Sequence, residues 1–112
     1  MDQILIIDDS DINLTLLKHL VTRLGDCEPV LFTHPAKALE WCEQPENQPD
    51  LVIVDYMMPD IDGLEFIRRF RAIPERADIP VLMITANDQR DVRYQALQGG
   101  ANDFLTKPVD RT

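Results

Sequence analysis

The stretch LVIVDYMMPDIDG, residues 51–63, decides the fold of this chain. Four apolar residues, Leu51 to Val54, end in Asp55, and Asp60 to Gly63 have the composition of a turn that leads into a helix. A short apolar run bounded by turn residues is typical of a strand that is buried on both faces of a parallel sheet. The stretch therefore predicts a buried strand with a carboxylate at its end, followed by a loop and a helix.

The same pattern recurs along the chain, and it alternates with stretches of helical period. Three further apolar runs end in polar side chains: Ile4 to Ile7 in Asp8 and Asp9, Val81 to Ile84 in Thr85, and Phe104 to Thr106 in Lys107. An alternation of strands and helices predicts an α/β domain with a doubly wound parallel sheet.

The predicted elements, in chain order, are a strand at Ile4–Ile7, a helix from Ser10 or Asp11 to Gly25, a strand at about 28–32, a helix near Pro35–Glu43, a strand at Leu51–Val54, a helix between Gly63 and Pro74, a strand at Val81–Thr85, a helix at about 88–98 and a strand at Asp103–Thr106. The first helix is predicted to bury a face formed by Leu14, Leu17, Leu20, Val21 and Leu24. The third is predicted to bury Leu64, Ile67 and Phe70, with Phe66 as a further candidate.

Composition excludes several classes of protein. A chain of 112 residues forms one domain, and its formal charge of −9 argues against nucleic-acid binding, which needs clustered Lys and Arg. Cys27, Cys42, His19 and His34 lack metal-ligand spacing and are interpreted as structural, so no zinc site is predicted. The start lacks a basic segment and no apolar run approaches the ~20 residues that span a bilayer, so a cytoplasmic domain without a membrane anchor is expected.

The polar groups at the strand ends predict the chemistry. The carboxyl ends of parallel strands meet at one edge of the sheet, so Asp8, Asp9, Asp55, Thr85 and Lys107 should converge. Three neighbouring carboxylates call for a cation, and oxygen ligands suit Mg²⁺. Asp55 stands alone at its strand end and is the candidate nucleophile toward phosphorus, while Asp8 and Asp9 look like a metal-holding pair. Thr85 and Lys107 would bind phosphoryl oxygens.

A simpler interpretation exists for each of these residues taken alone. A single aspartate after a strand most often caps a helix or a turn, and we assign that role to Asp60 and Asp62. Five suitable groups at four strand ends rarely arise from capping alone. The set therefore favours a phosphoryl-transfer site with a divalent cation.

At these residues the chain resembles the receiver domain of two-component response regulators, of the CheY-like superfamily. The resemblance spans essentially the whole chain, 1–112, and rests on four motifs: Ile7-Asp8-Asp9, Val54-Asp55-Tyr-Met-Met-Pro59-Asp-Ile-Asp-Gly63, Ile84-Thr85-Ala86 and Lys107-Pro108. It implies a flavodoxin-like sheet of five parallel strands in the order 2-1-3-4-5.

The resemblance also implies a role for each site residue. Asp55 would be the phosphoacceptor, and Mg²⁺ would be held by Asp9 directly, by Asp8 mainly through water, by Asp55 and by the main-chain carbonyl of Met57. Thr85, Lys107 and the N–H of Ala86 would bind phosphoryl oxygens. Thr85 and Phe104 would form the switch, and because Phe104 lacks the hydroxyl of members that have Tyr there, this switch would work by packing alone. A role for Phe104 as a core residue is the alternative.

Partners follow from the same resemblance. The phosphoryl donor would be a phosphohistidine on a sensor histidine kinase or a histidine phosphotransfer protein. The domain would promote its own phosphorylation and dephosphorylation, with no external substrate, and pass the signal to a C-terminal output domain or effector. Only four residues follow Pro108, so the fifth helix is expected to be truncated or absent and the domain to be the N-terminal part of a longer protein. A homodimer is a further expectation.

Two other functions are alternatives: one uses a similar strand-end Asp and Mg²⁺, and the other has the same fold. A phosphatase of the haloacid dehalogenase type would carry a second, proton-donating Asp where this chain has Met57, so turnover of external phosphoesters is not expected. A pseudo-receiver, which binds partners without phosphorylation, usually lacks an acidic or Lys position that this chain retains.

Overall fold

The computed structural model describes residues 2–56, 58, 61–85 and 103–106. Its elements are β1 (Asp2–Ile7), α1 (Asp11–Thr22), β2 (Cys27–Phe32), α2 (Pro35–Glu43), β3 (Leu51–Asp55), α3 (Gly63–Arg71), β4 (Val81–Thr85) and β5 (Asp103–Thr106). These bounds lie within a few residues of the predicted ones. The helix predicted at about 88–98 and the prediction about a fifth helix concern residues outside the described ranges.

All five strands are parallel and lie in the order β2-β1-β3-β4-β5, which confirms the predicted doubly wound sheet. β1 and β3 are neighbours, with Ile7 opposite Val54. Asp8, which follows β1, and Asp55, which ends β3, therefore lie side by side at the carboxyl edge of the sheet.

The core consists of two apolar layers, one on each face of the sheet. In β1, Leu5 and Ile7 point into the layer under α2 and α3, whereas Ile4 and Ile6 point into the layer under α1. The first layer includes the α3 side chains Phe66, Ile67 and Phe70, and the second the α1 side chains Leu14, Leu17 and Val21. Burial on both faces explains why the central strands are continuous apolar runs without alternation.

The C-terminal end of α1 differs from the prediction at one residue. Leu24 is 73% exposed and does not belong to the buried face of the helix. The helix ends at Thr22 with Arg23 as its C-cap, so the helical repeat does not continue to residue 24. Gly25 has φ of 117°, a left-handed conformation that glycine adopts readily, and it turns the chain toward β2.

The start of α3 follows the prediction for Asp62. This residue is the N-cap, and its Oδ1 accepts a hydrogen bond from the N–H of Glu65 over 2.8 Å. The helix ends at Arg71, three residues before Pro74. Its last side chain then holds the following loop, since the guanidinium of Arg71 donates to the carbonyl oxygens of Arg76, Ala77 and Ile79.

β2 lies at one edge of the sheet and pairs with β1. Pro29 stands in its middle, opposite Ile4. Proline has no N–H to donate, and it is tolerated in an edge strand because one side of that strand has no neighbouring strand to accept a hydrogen bond.

Within the described ranges, no helix has the length and apolar character needed to cross a bilayer.

Candidate functional site

Three carboxylates meet at the carboxyl edge of the sheet. Asp8 and Asp9 follow β1, and Asp55 is the last residue of β3. One carboxylate oxygen from each residue lies within 4.8 Å of the other two. Asp8 and Asp55 are buried, whereas Asp9 is exposed. The structure thus brings together the three acidic residues that the sequence placed at this edge.

The backbone around Asp8 is fixed by hydrogen bonds on both sides. The N–H of Asp8 donates to the carbonyl oxygen of Phe32 over 3.1 Å, which continues the pairing of β1 with β2. The N–H of Ser10 donates to Oδ1 of Asp8 over 2.9 Å. These bonds hold the Asp8 carboxylate at the start of α1 with one oxygen already oriented by the main chain.

Asp55 is held by the ladders of the sheet and by the first turn of α3. It stands opposite Ile84 of β4, and the N–H of Tyr56 donates to the carbonyl oxygen of Ile84 over 2.8 Å. The N–H of Gly63 donates to the carbonyl oxygen of Tyr56 over 2.8 Å, which closes the loop after β3. The end of β3 is therefore anchored both to its neighbouring strand and to the helix that follows.

The composition of this cluster decides which metal it fits. Each of its three residues supplies a carboxylate oxygen, and no thiolate or imidazole takes part. Hard cations such as Mg²⁺ prefer oxygen ligands, while zinc and copper favour nitrogen and sulfur. Three negative charges at this distance also repel one another unless a cation lies between them. The residues present fit a divalent, oxygen-preferring cation.

The remaining predicted site residues are only partly within the described structure. The main chain of Thr85 ends β4 and pairs with Thr106, the residue before Lys107. The side chains of Thr85 and Phe104, and the residues Met57, Ala86 and Lys107, lie outside the part of the chain that is described.

Two features of the site were not predicted from the sequence. One is the N–H of Ser10, because the sequence indicates Ser10 only as a possible start of the first helix; its hydroxyl caps that helix by accepting from the N–H of Asn13. The other is the contact of Gly63 with the end of β3. A glycine at the first helical position, where other residues serve a helix better, was the available signal.

The surface beside the acidic cluster includes an exposed apolar side chain. Ile12, in the first turn of α1, is 74% exposed, and Asn13 and Leu16 are half-buried. Among the described residues, Ile12 is the most exposed large apolar side chain.

Comparison with known proteins places the chain in a family. The family profile of the response regulator receiver domain matches residues 4–112. The cyclic di-GMP phosphodiesterase response regulator RpfG of Xanthomonas campestris pv. campestris is 42% identical over 110 residues, which cover 95% of this chain and 28% of RpfG. Response regulator PleD of Caulobacter vibrioides is 37% identical over 109 residues, covering 96% of this chain and 23% of PleD. The chain thus spans about a quarter of the length of these relatives.

A solved structure matches the fold as well as the sequence. The receiver domain of the sensor histidine kinase PA1611 from Pseudomonas aeruginosa PAO1 superposes with a TM-score of 0.84 at 29% identity, over 96% of this chain and 85% of that one. That structure contains a magnesium ion coordinated in its active-site cleft. The family profile, the relatives and the structure agree with the resemblance found in the motifs, and the chain belongs to the receiver domain family of two-component response regulators.

Proposed function

We propose that this domain is a phosphorylation-dependent signalling switch that accepts a phosphoryl group on Asp55. The observation that carries the proposal is the cluster of Asp8, Asp9 and Asp55, whose carboxylate oxygens lie within 4.8 Å of one another at the carboxyl edge of the sheet. Ligands bind at this edge in doubly wound sheets. A nucleophilic carboxylate beside a metal-holding pair suits attack on phosphorus.

Mg²⁺ is the proposed cofactor. Asp9, Asp55 and the carbonyl oxygen of Met57 would hold it directly, and Asp8 mainly through water. When bound, it would neutralise the carboxylates and the oxygens of an incoming phosphoryl group. The exposure of Asp9 leaves this side of the cluster open to solvent, as entry of an ion requires.

The proposed reaction is transfer from a phosphohistidine to Asp55. A carboxylate oxygen of Asp55 forms a bond to phosphorus as the phosphorus–nitrogen bond of the donor breaks. The electron pair of that bond stays on the imidazole nitrogen, which takes up a proton. Thr85, Ala86 and Lys107 would hold the phosphoryl oxygens with a hydroxyl, an N–H and an ammonium group. Attack of water on phosphorus later restores the Asp55 carboxylate and releases phosphate.

The proposed output is a change of packing at β4 and β5. The Thr85 hydroxyl would turn toward the new negative charge, and the ring of Phe104 would occupy the space it leaves. Since Phe104 has no hydroxyl, the two states would differ in packing and not in a hydrogen bond of that ring. Phe104→Ala should therefore weaken signalling without reducing phosphorylation of Asp55.

The proposed partners are a phosphohistidine protein and an output module. Ile12, Asn13 and Leu16 form the proposed docking surface for a sensor histidine kinase or a histidine phosphotransfer protein, because an exposed apolar group lies there beside the phosphoacceptor site. We propose that the domain is the N-terminal part of a longer cytoplasmic protein, supported by relatives that are about four times as long. The net charge of −9 favours an output through protein contacts over direct DNA binding by this domain.

The decisive experiment is intact mass spectrometry after incubation with acetyl phosphate. Wild type, Asp55→Asn and the exposed control Asp26→Asn are compared with Mg²⁺ and with a chelator. We expect wild type and Asp26→Asn to gain the mass of one phosphoryl group only when Mg²⁺ is present, and Asp55→Asn to gain none. A folded wild-type protein that gains no mass would point instead to a pseudo-receiver. If Asp55→Asn also gains the mass of a phosphoryl group, another residue is the phosphoacceptor.

A further inference from the structure

Gly63 lies in unusually close contact with the phosphoacceptor strand. It is buried, it is the first residue of α3, and its N–H donates to the carbonyl oxygen of Tyr56. A Cβ atom at this position would lie 2.5 Å from the carbonyl oxygen of Asp55 and 2.9 Å from Cα of Tyr56. Both distances are shorter than van der Waals contact, and both neighbours are main-chain atoms that cannot rotate away.

The requirement for glycine comes from space and not from backbone conformation. Gly63 is helical, and its φ lies outside the left-handed range that favours glycine. Alanine forms helices better than glycine, so helix propensity alone would favour alanine here. Gly25 provides the contrast, because it has φ of 117° and open space around it. At Gly63 the close approach of two main-chain segments is what excludes a side chain.

We propose that Gly63 is a positioning residue for the acidic site, since its missing side chain lets α3 lie directly against the main chain of Asp55. This inference rests on the proposed function of Asp55. The end of β3 is held between β1 and β4, and α3 is held by the Asp62 cap and by its buried face. A Cβ at residue 63 would force these two bodies apart, and the Asp55 carboxylate would move relative to Asp8 and Asp9. Mg²⁺ tolerates such movement poorly because it requires near-octahedral geometry at about 2.0–2.1 Å.

The test compares Gly63→Ala with Ile67→Val, which removes one methyl group from the buried face of the same helix. Isothermal titration with MgCl₂ measures metal affinity, and intact mass measures the rate of phosphorylation by acetyl phosphate. We expect Gly63→Ala to raise the Kd for Mg²⁺ about tenfold, the typical effect of losing support around a metal ligand, and Ile67→Val to change it less than about twofold. If both variants fold and the Kd for Mg²⁺ changes by the same small factor in each, the proposal is overturned.

A measurement without metal separates this inference from the proposed function. Backbone amide and side-chain carboxyl chemical shifts, recorded by NMR in a chelator, should change most at Asp55, Tyr56 and the Asp8–Asp9 pair in Gly63→Ala. Changes confined to α3 would overturn the role of Gly63 even if wild type is phosphorylated. A wild type that neither binds Mg²⁺ nor accepts phosphate, with these shifts as expected, would overturn the proposed function and leave the positioning contact standing.

A second variant covers the case in which Gly63→Ala does not fold. Asp62→Ala removes the cap of α3 without adding an atom near Asp55, and the loss of a cap is tolerated by most domains. Because it loosens the turn that carries Gly63, it should raise the Kd for Mg²⁺ about threefold. An unchanged Kd in Asp62→Ala would contradict the proposal.

Discussion

The main-chain N–H of Ser10 donates a hydrogen bond to Oδ1 of Asp8 over 2.9 Å, while the hydroxyl of the same residue accepts from the N–H of Asn13 over 3.4 Å. The main chain of Ser10 thus orients a carboxylate of the candidate site, and its side chain caps α1. The two contributions belong to different atoms and can be separated by substitution.

Ser10→Ala should affect stability and leave the site intact. It removes the capping hydroxyl, which typically lowers the free energy of unfolding by about 1 kcal/mol, and it keeps the N–H that donates to Oδ1 of Asp8. Ser10→Pro removes the N–H, so we expect the Kd for Mg²⁺ to rise about tenfold in this variant alone. Urea unfolding and calorimetric titration measure the two effects. Equal metal affinity in the two variants would show that the N–H does not orient Asp8.

The crowding of Asp8, Asp9 and Asp55 should destabilise the protein when divalent cations are removed. Asp9→Asn takes away one of three neighbouring negative charges, so in a chelator we expect its free energy of unfolding to exceed that of wild type by about 1 kcal/mol. Mg²⁺ at ten times its Kd should stabilise wild type by roughly 1.4 kcal/mol and the variant much less. Asp26→Asn, an exposed aspartate in the turn before β2, is the control and should follow wild type. Equal stabilisation of all three proteins by Mg²⁺ would contradict a metal site at Asp9.

Arg76 is a buried cation that ties α2 to the loop before β4. The side chain is 2% exposed, and its Nη2 donates to the carbonyl oxygens of Cys42, Gln44 and Asn47 over 2.8, 3.0 and 2.9 Å. These carbonyl groups lie at the C-terminal end of α2 and just beyond it, where a positive charge is favoured by the helix dipole.

Arg76→Met should therefore lower the free energy of unfolding by about 3 kcal/mol, because it leaves several carbonyl oxygens without a donor. Arg68→Met removes an exposed arginine that pairs with Glu65, and it should cost less than about 1 kcal/mol. Urea denaturation of the two variants measures the difference. A cost below about 1 kcal/mol for Arg76→Met would mean that water replaces the guanidinium.

Burial raises the pKa of the Cys42 thiol from its ordinary value of 9.0 to about 12, although the nearby Arg76 guanidinium opposes the shift. Between these two pH values the unfolded chain loses the thiol proton and the folded protein keeps it. The free energy of unfolding should therefore fall as pH rises above 9, with no contribution from this group at lower pH.

In Cys42→Ala and Cys42→Val, the free energy of unfolding should fall less steeply above pH 9 than in wild type, whatever the effect of these substitutions on packing at neutral pH. Urea unfolding at several pH values from 8 to 11 gives the slope of the free energy of unfolding against pH for each protein. If both variants keep the slope of wild type, another group is responsible for the decline.

Leu17 and Leu24 allow a comparison of the same side chain in two environments, since Leu17 lies in α1 and Leu24 in the segment after it. Leu17 is 5% exposed and packs under the sheet, whereas Leu24 is 73% exposed. Leu17→Ala should cost about 3 kcal/mol of stability and Leu24→Ala less than about 0.5 kcal/mol. Thermal and urea denaturation compare them directly. A large loss in Leu24→Ala would mean that this side chain is covered in solution.

Much of the fold could be predicted from the sequence because short continuous apolar runs alternate with stretches of helical period. The continuous apolar run Leu51 to Val54 predicted a strand buried on both faces, and its neighbours in β1 and β4 confirm it. The meeting of Asp8, Asp9 and Asp55 followed from strand direction alone, since parallel strands place their carboxyl ends at one edge. Leu24 was assigned wrongly because periodicity continues past a helix end that only the C-cap reveals.

Contacts between distant segments could not be predicted in this way. Arg76 has the pattern of an exposed loop arginine, and only the fold brings carbonyl oxygens from residues 42–47 around it. The closeness of Gly63 to Asp55 likewise depends on how α3 packs against β3. Hydrophobic pattern determines which faces are buried, but it carries no information about which main-chain atoms touch.

Pro29 in the edge strand β2 has a consequence for the behaviour of the protein at high concentration. An edge strand offers hydrogen-bonding groups to any extended chain that approaches, and such additions begin many ordered aggregates. A proline in the strand, next to the exposed charge of Glu28, makes this edge a poor template. Backbone pairing of another extended chain with this edge of the sheet is therefore disfavoured.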